Sequence, residues 1–495
     1  MSTASVAGKL PTANEKKYLK TKEWVFYLLA MFFFSSMTGM VNSYRRAYLV
    51  DVLLLSNDQL SFFNGFTQIV GYVLSFIYAL ILDNKKIKNN QKFKPLGLLA
   101  AIPCGVVTAL IFWTPDFVQR NPTVLLIWLC ALALIQGCAT YFGGTVTMVA
   151  AVMTPNDKER EQLLSFRGIA SAIGNSAPLV IVLVVAAIIK AANGGTENAA
   201  LSYFISAILC GVVGTITMLL GMSVIKERIV YKSERKNPFK GLWNVIRSKH
   251  AWVILISEFL KSFRGIATFM EPFIAAAILG SSSQTVLFAL PVGIGTMVGM
   301  LIISRLLKRF TSRVLYIASG VYSVCINAIA FGVGYAYLTH METLPWLNYI
   351  FIVCLFGTGI QFGASNLLPE MFKADVLDDL ELKTGSRLDA SLGFFIGIGG
   401  TISGALANIA VPYILYGDGS IIQYQQGLGD GTAQTLDTKI MLLLFYTVFH
   451  GLMMLLAGLP FLFYKLSGAE RERVHTEVLK MREELAQSEG VEAAE

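Results

Sequence analysis

Four charged residues stand in one otherwise apolar run: Glu258, Lys261, Arg264 and Glu271. On a helix turning about 100° per residue, Lys261, Arg264, Thr268 and Glu271 fall within roughly 80° of one another. Glu258 precedes Lys261 by three residues, on the adjoining edge. Ionised groups are costly in hydrocarbon, so such a stripe lines a cavity or pairs with its neighbours. Two kinds of chemistry are open to it. Lys261 and Arg264 can hold an anionic group such as a carboxylate, while Glu258 or Glu271 carries a proton or another cation. Alternatively the four make internal pairs, Glu258 with Lys261 and Arg264 with Glu271, that fix the helix against its neighbours.

Other polar groups sit in apolar runs and need partners when buried. Gln68, Gln136 and Gln361 are assigned to a cavity, with Tyr72 and Tyr141 in its wall. Asn64, Asn175, Asn327, Asn366 and Asn408 are expected to join helices as well as to bind. His450 stands alone in the last apolar run, where a neutral hydrogen-bonded core histidine competes with a proton relay. Arg45 lies about 21 residues past Trp24, roughly 32 Å up a straight helix. With Arg46 it either snorkels to the outer boundary or forms a basic outer mouth. The cysteines Cys104, Cys130, Cys138, Cys210, Cys325 and Cys354 all fall in apolar runs and form no CxxC pair. They read as small buried residues, not as disulfides or metal ligands. No GxxxxGK[ST] motif and no metal-ligand spacing occur in the sequence. No cofactor, metal site or catalytic constellation is therefore expected.

The elements that must position these residues are membrane helices. Of 495 residues, 55% are hydrophobic and 15% charged, against about 25% charged in soluble domains. Twelve apolar stretches can be drawn. They run near 24–50, 58–82, 95–114, 122–153, 163–191 and 200–225, then 251–279, 284–308, 314–338, 346–371, 388–416 and 439–465. Each is long enough to span a bilayer. Basic residues crowd alternate loops, including Lys85, Lys86, Lys88, Lys92 and Lys94, then Lys226 to Lys249, then Lys308, Arg309 and Arg313. By the positive-inside rule these loops and both termini face the cytoplasm of an inner-membrane protein. The same distribution argues against nucleic acid as the partner of a chain with net charge +8.

The expected organisation is a cytoplasmic segment 1–23, a six-helix half 24–225, a cytoplasmic central loop 226–250, a second half 251–466 and a charged cytoplasmic tail 467–495. The halves echo one another. Asp157-Lys158-Glu159-Arg160 with Arg167 precedes the fifth helix, as the acids Asp375 to Asp379 with Arg387 precede the eleventh. The fold class is all-α: twelve transmembrane helices in two pseudo-symmetric six-helix bundles, the major facilitator fold, with a cavity near midplane.

Two segments carry a closer likeness. Asp157-Lys-Glu-Arg-Glu-Gln-Leu-Leu-Ser-Phe-Arg167 resembles the loop four–five signature of the glycoside–pentoside–hexuronide:cation symporters. Ala374-Asp375 followed by Glu381-Leu-Lys-Thr-Gly-Ser-Arg387 resembles their loop ten–eleven signature, and Lys92-Phe-Lys-Pro95 is similar too. The resemblance to melibiose-permease-like chains covers essentially the whole length. It implies a secondary transporter of sugars or glycosides, coupled to sodium or protons and acting as a monomer among membrane lipids. It also implies a cytoplasmic salt-bridge gate, drawn from Asp157, Arg160, Arg167, Glu370, Asp375, Asp378 and Arg387. The family's cation carboxylates on the second helix are replaced here by Tyr72, Ser75 and Phe76. Its sugar-binding aspartate on the fourth falls near Gly143, with no acid from 123 to 153, and its lysine on the eleventh is Thr401.

The expected function is thus movement of a sugar or glycoside, with an anionic hexuronide among the cargoes. Coupling to H+ is favoured over Na+, because acids survive on the seventh helix and not on the second. An uncoupled facilitator or exchanger and an exporter of amphiphiles are the alternatives within transport. A polytopic lipid-modifying enzyme lacks a visible nucleophile or acid–base pair, and a receptor lacks an output domain.

Overall fold

The structure is a computed structural model and describes residues 17–84, 91, 93–154, 156–228, 238–340, 343–385, 388–427 and 434–492. Among the described residues, ten helices are long and apolar enough to cross a membrane. The 28-residue Asn57–Asn84 and the shorter apolar Lys94–Leu110 bring the set to twelve. In chain order they are α1 (Thr21–Ala47), α2 (Asn57–Asn84), α3 (Lys94–Leu110), α4 (Pro122–Gly143), α5 (Asp157–Ala192) and α6 (Ala199–Val224). Then come α7 in two pieces (Lys249–Ser262 and Gly265–Leu279), α8 (Val286–Leu306), α9 (Ser312–Thr339), α10 (Leu347–Thr384), α11 (Asp389–Leu415) and α12. Helix α12 runs Leu436–Leu444, widens into a π turn at Phe445–Phe449 and resumes over His450–Gly458. A tail helix, α13, covers Ala469–Glu492.

Local chemistry sets many of these ends. Asn121 accepts from Thr123 N ahead of Pro122, Asn198 caps α6 at Leu201 N, and Ser248 caps α7 at Ala251 N. Such side-chain oxygens satisfy backbone donors left open in a first turn. Helix α10 ends at Gly385, whose φ of +67° is left-handed and suits glycine. Three predicted boundaries move. α4 ends at Gly143, with a separate short helix over Thr145–Val149, where 153 was expected. α5 starts at Asp157, earlier than the expected 163, and α10 continues to Thr384, beyond the expected 371. The extension of α10 is not a bare polar stalk. Val376, Leu377 and Leu380 are buried with Val474 and Val478 of α13, so the tail helix supplies apolar cover.

The chain divides into two compact units, Met1–Leu55 with Phe66–Glu234 and Ser56–Gly65 with Arg235–Glu495. In the first, α1 packs against α5 and α6, and α3 against α4 and α6. Its core holds Tyr27, Met31, Phe34, Ala101, Val146, Met153 and Met218. Past the end of α6, Glu227 accepts from Phe93 N and Lys94 N at 2.8 and 2.6 Å, capping α3. Arg228 pairs with Glu23 at 2.9 Å. In the second unit, α8 lies tightly on α10 and α9 packs against α10 and α12. Gly295, Gly299, Gly359 and Gly363 permit that approach: a Cβ on Gly363 would stand 2.4 Å from Met300 N. The start of α2 groups with this unit. Ser61 Oγ donates to Ile409 O at 2.6 Å, Asn64 Nδ2 to Asn408 O at 2.9 Å, and Asn57 Nδ2 to Tyr416 O at 2.7 Å.

Candidate functional site

Helix α7 does not run straight through its charged stripe. The backbone tightens at Phe263 and Arg264, whose N–H groups donate three residues back to Leu260 O and Lys261 O. The phase of the wheel is lost there, and the four charges part company. Lys261 Nζ lies 2.6 Å from Glu258 Oε1, and both side chains are largely sheltered. This is the internal pair foreseen as one alternative. The second foreseen pair, Arg264 with Glu271, gives way to another arrangement. The Arg264 guanidinium lies over the Phe362 ring, 4.3 Å from its centroid, a cation–π contact. Its Nη1 is buried and has no hydrogen-bond partner.

Arg264 faces a cavity of ≈300 Å³ within the second unit. Thr268 and Glu271 of α7 line it, with Gly293 of α8, Asn327 of α9, Thr358 and Phe362 of α10, and Tyr446 and His450 of α12. The volume is at the lower end of the range for small-ligand sites, about 300–1,000 Å³. Its polar wall is built, not incidental. Asn327 is buried, donates to Ser323 O at 2.8 Å and accepts from Thr358 Oγ1 at 3.3 Å. His450 packs on Phe362 with ring centroids 5.0 Å apart. Its Nε2 is buried without a partner. The π turn that precedes His450 is a distortion often found at functional positions.

The family model described as MFS/sugar transport protein matches residues 26–468. The chain belongs to that family. This places the transporter in the major facilitator superfamily and bears out its likeness to the glycoside–cation symporters. It is 25% identical over 436 residues to the putative glycoside/cation symporter YagG of Escherichia coli K12, covering 86% of this chain and 87% of YagG. It is 23% identical over 483 residues to the uncharacterized symporter YjmB of Bacillus subtilis 168, covering 95% and 97%. The fold is similar to a crystal structure of the nucleoside transporter NupG, with a TM-score of 0.62 at 12% identity over 89% of this chain and 99% of that one. The transporter is a multi-pass membrane protein of the all-α major facilitator fold.

The other predicted site residues are dispersed. Of the substrate candidates, only Arg264 lines this cavity; of the coupling candidates, only Glu271 does. Gln136 accepts from Arg45 Nη1 at 3.2 Å, which draws that arginine inward. Tyr141 donates to Gly71 O at 2.8 Å. Gln361 is buried and donates to Ser365 Oγ at 2.6 Å. Gln68 is half-buried, Tyr72 is exposed, and Arg46 is half-buried in α1.

Four of the predicted gate residues have partners within their own unit. Arg167 Nη1 donates to Thr147 O at 2.7 Å, and Glu370 pairs with Lys373 at 2.7 Å. Asp375 is held by Arg471 of α13 at 2.7 Å, and His475 lies 3.3 Å from Asp378. Arg160 is half-buried at the start of α5. Arg387 and the Asp157 side chain lie outside the described residues. Asn327, Thr358, Phe362, Tyr446 and His450 are the cavity residues that sequence reasoning did not assemble. They come from three helices; Thr358 with Phe362 and Tyr446 with His450 are four residues apart, but no spacing along the chain links one helix to another. The one available signal was that Asn327 and His450 are polar side chains inside apolar runs.

Proposed function

We propose that this chain is a secondary active transporter that carries a sugar or glycoside through the cytoplasmic membrane by alternating access. Its preferred cargo is anionic, a hexuronide-like molecule, and the coupling ion is H+. One observation carries the reading: a buried arginine with an unpartnered Nη1 faces a small-ligand cavity inside the spanning helices of the second unit. A buried cationic donor is costly unless it meets an acceptor, and a carboxylate is the strongest acceptor a sugar can offer. Glu271, Asn327 and Thr358 supply the hydrogen-bonding groups that hydroxyls need. Family membership and the similarity to the putative glycoside/cation symporter YagG support the sugar or glycoside class. Loss of the helix-two carboxylates, replaced by Tyr72, Ser75 and Phe76, favours H+ over Na+. The basic loops support cytoplasmic termini, and the chain works as a monomer.

Labelled glucuronide uptake by proteoliposomes, with and without an inward proton gradient, tests this. Accumulation driven by the gradient is the expected result. Equilibration without accumulation would make the protein a facilitator. Uptake of neutral glycosides alone would remove the anionic cargo.

A further inference from the structure

The two unpartnered nitrogens of the cavity belong to one arrangement. Arg264 lies on the Phe362 ring at 4.3 Å, and the His450 ring packs against the same Phe362 at 5.0 Å. Both side chains line the cavity, and Arg264 Nη1 and His450 Nε2 are each buried with no hydrogen-bond partner. Phe362 can serve neither nitrogen as an acceptor in the plane of its donor. Two buried nitrogens without partners, on side chains that share one ring and line one cavity, suit an oxygen ligand held between them.

The charged neighbours divide the cavity into two ends. From α7, Arg264 is the charged group that acts on His450, and Glu271 the one that acts on Tyr446. Arg264 and Glu271 are seven residues apart, roughly 10 Å along the helix. Glu258, before the break in α7, is engaged by Lys261. Tyr446 is the titratable neighbour on α12 itself. The lining residues of α8, α9 and α10 are not titratable: Ala289, Val292, Gly293, Asn327, Leu355, Thr358 and Phe362. One end is thus arginine with histidine, and the other is glutamate with tyrosine.

We infer that Arg264 and His450 together grip the carboxylate of the cargo, and that His450 Nε2 takes up the coupling proton as the carboxylate binds. The inference rests on the transport reading above and assigns its coupling group. With the cavity empty, a second positive charge beside Arg264 is repelled. A carboxylate placed between them reverses the sign of that interaction. The proton moves from solution to Nε2, which then donates to a carboxylate oxygen while Arg264 donates to the carboxylate as well. Proton and carboxylate each raise the affinity for the other by the same factor. A neutral glycoside offers no charge to compensate the imidazolium, so it binds without a proton.

The test is proton uptake from a lightly buffered solution on adding phenyl glucuronide or phenyl glucoside to the purified full-length transporter, with binding measured in parallel. The inference expects about one proton per glucuronide, none per glucoside, and glucuronide affinity that rises about tenfold per unit fall in pH. His450→Gln, or His450→Asn should the first variant fold poorly, should bind glucuronide more weakly, take up no proton and lose the pH dependence. Proton uptake that persists in these variants overturns the assignment while the transport reading stands. So does equal proton uptake with both ligands in the wild type, or its loss only in Glu271→Gln. Binding of neither ligand by the wild type overturns the transport reading and this inference with it.

Discussion

The two units solve the same packing problem with different results. In the first, the space bounded by α1, α3 and α4 is reduced to a pocket of ≈10 Å³. Phe34, Met37, Val41, Cys104 and Val107 line it. Its polar lining is occupied by its own walls: Thr38 donates to Ser35 O and Thr108 to Cys104 O within their helices, and Cys104 of α3 to Ala139 O of α4. In the second, α7, α8, α9, α10 and α12 leave ≈300 Å³, with a guanidinium and an imidazole on its wall. The lesson concerns polar satisfaction more than volume. A threonine can return its hydrogen bond to its own helix and Cys104 reaches the next one, so this pocket closes. An arginine and a ring nitrogen facing an aromatic side chain cannot, so the second unit keeps a guanidinium donor and a ring nitrogen open for something that enters.

The contrast can be broken by experiment. The largest effect is expected from Arg264→Gln, which removes the charge but keeps hydrogen-bonding atoms. Glucuronide binding should weaken about 100-fold, or ~3 kcal/mol, the upper range for a hydrogen bond to a charged group. Binding within a few-fold of wild type would move the site away from this cavity. A smaller effect is expected from Glu258→Gln, which leaves the sheltered Lys261 without its carboxylate. Thermal stability should drop by about 1–3 kcal/mol, with glucuronide affinity nearly unchanged. The double variant Glu258→Gln/Lys261→Met should recover most of that stability, because an apolar replacement removes both charges together. If affinity fell as far as in Arg264→Gln, Lys261 would belong to the binding site after all. The smallest effect is expected in the first unit. Gln136→Leu removes the acceptor of Arg45 and should cost about 1 kcal/mol of stability. Glucuronide uptake should be retained, and a tenfold loss of affinity would mean that the first unit also binds cargo.

Much of the architecture was legible in the chain. Hydropathy outlined all twelve helices, because a bilayer demands some 20 apolar residues per crossing. The loop motifs around Asp157–Arg167 and Ala374–Arg387 pointed to the family. The least readable boundary was the end of α10, where Val376, Leu377 and Leu380 looked like isolated apolar residues in a polar loop. Their cover, Val474 and Val478, lies almost a hundred residues away. The same distance hid the partners of Asp375 and Asp378, which are Arg471 and His475 of α13.

The candidate site shows where periodicity stops being a guide. A helical wheel drawn through 258–271 assumes one unbroken helix, so it grouped Lys261 with Arg264. The break at Phe263–Arg264 sends one to Glu258 and the other to Phe362. Periodicity did mark Arg264 and Glu271 as residues that cannot face lipid. It could not distinguish His450 from a core histidine, because the answer depends on whether a partner stands beside Nε2. The amino-acid order alone thus settled the spans, the family and the presence of costly charges in hydrocarbon, since each follows from composition and local spacing. Which charges pair and which nitrogens stay open was settled only in three dimensions. Hydrogen bonds are made between neighbours in space, and a broken α7 and a π turn in α12 decide who those neighbours are.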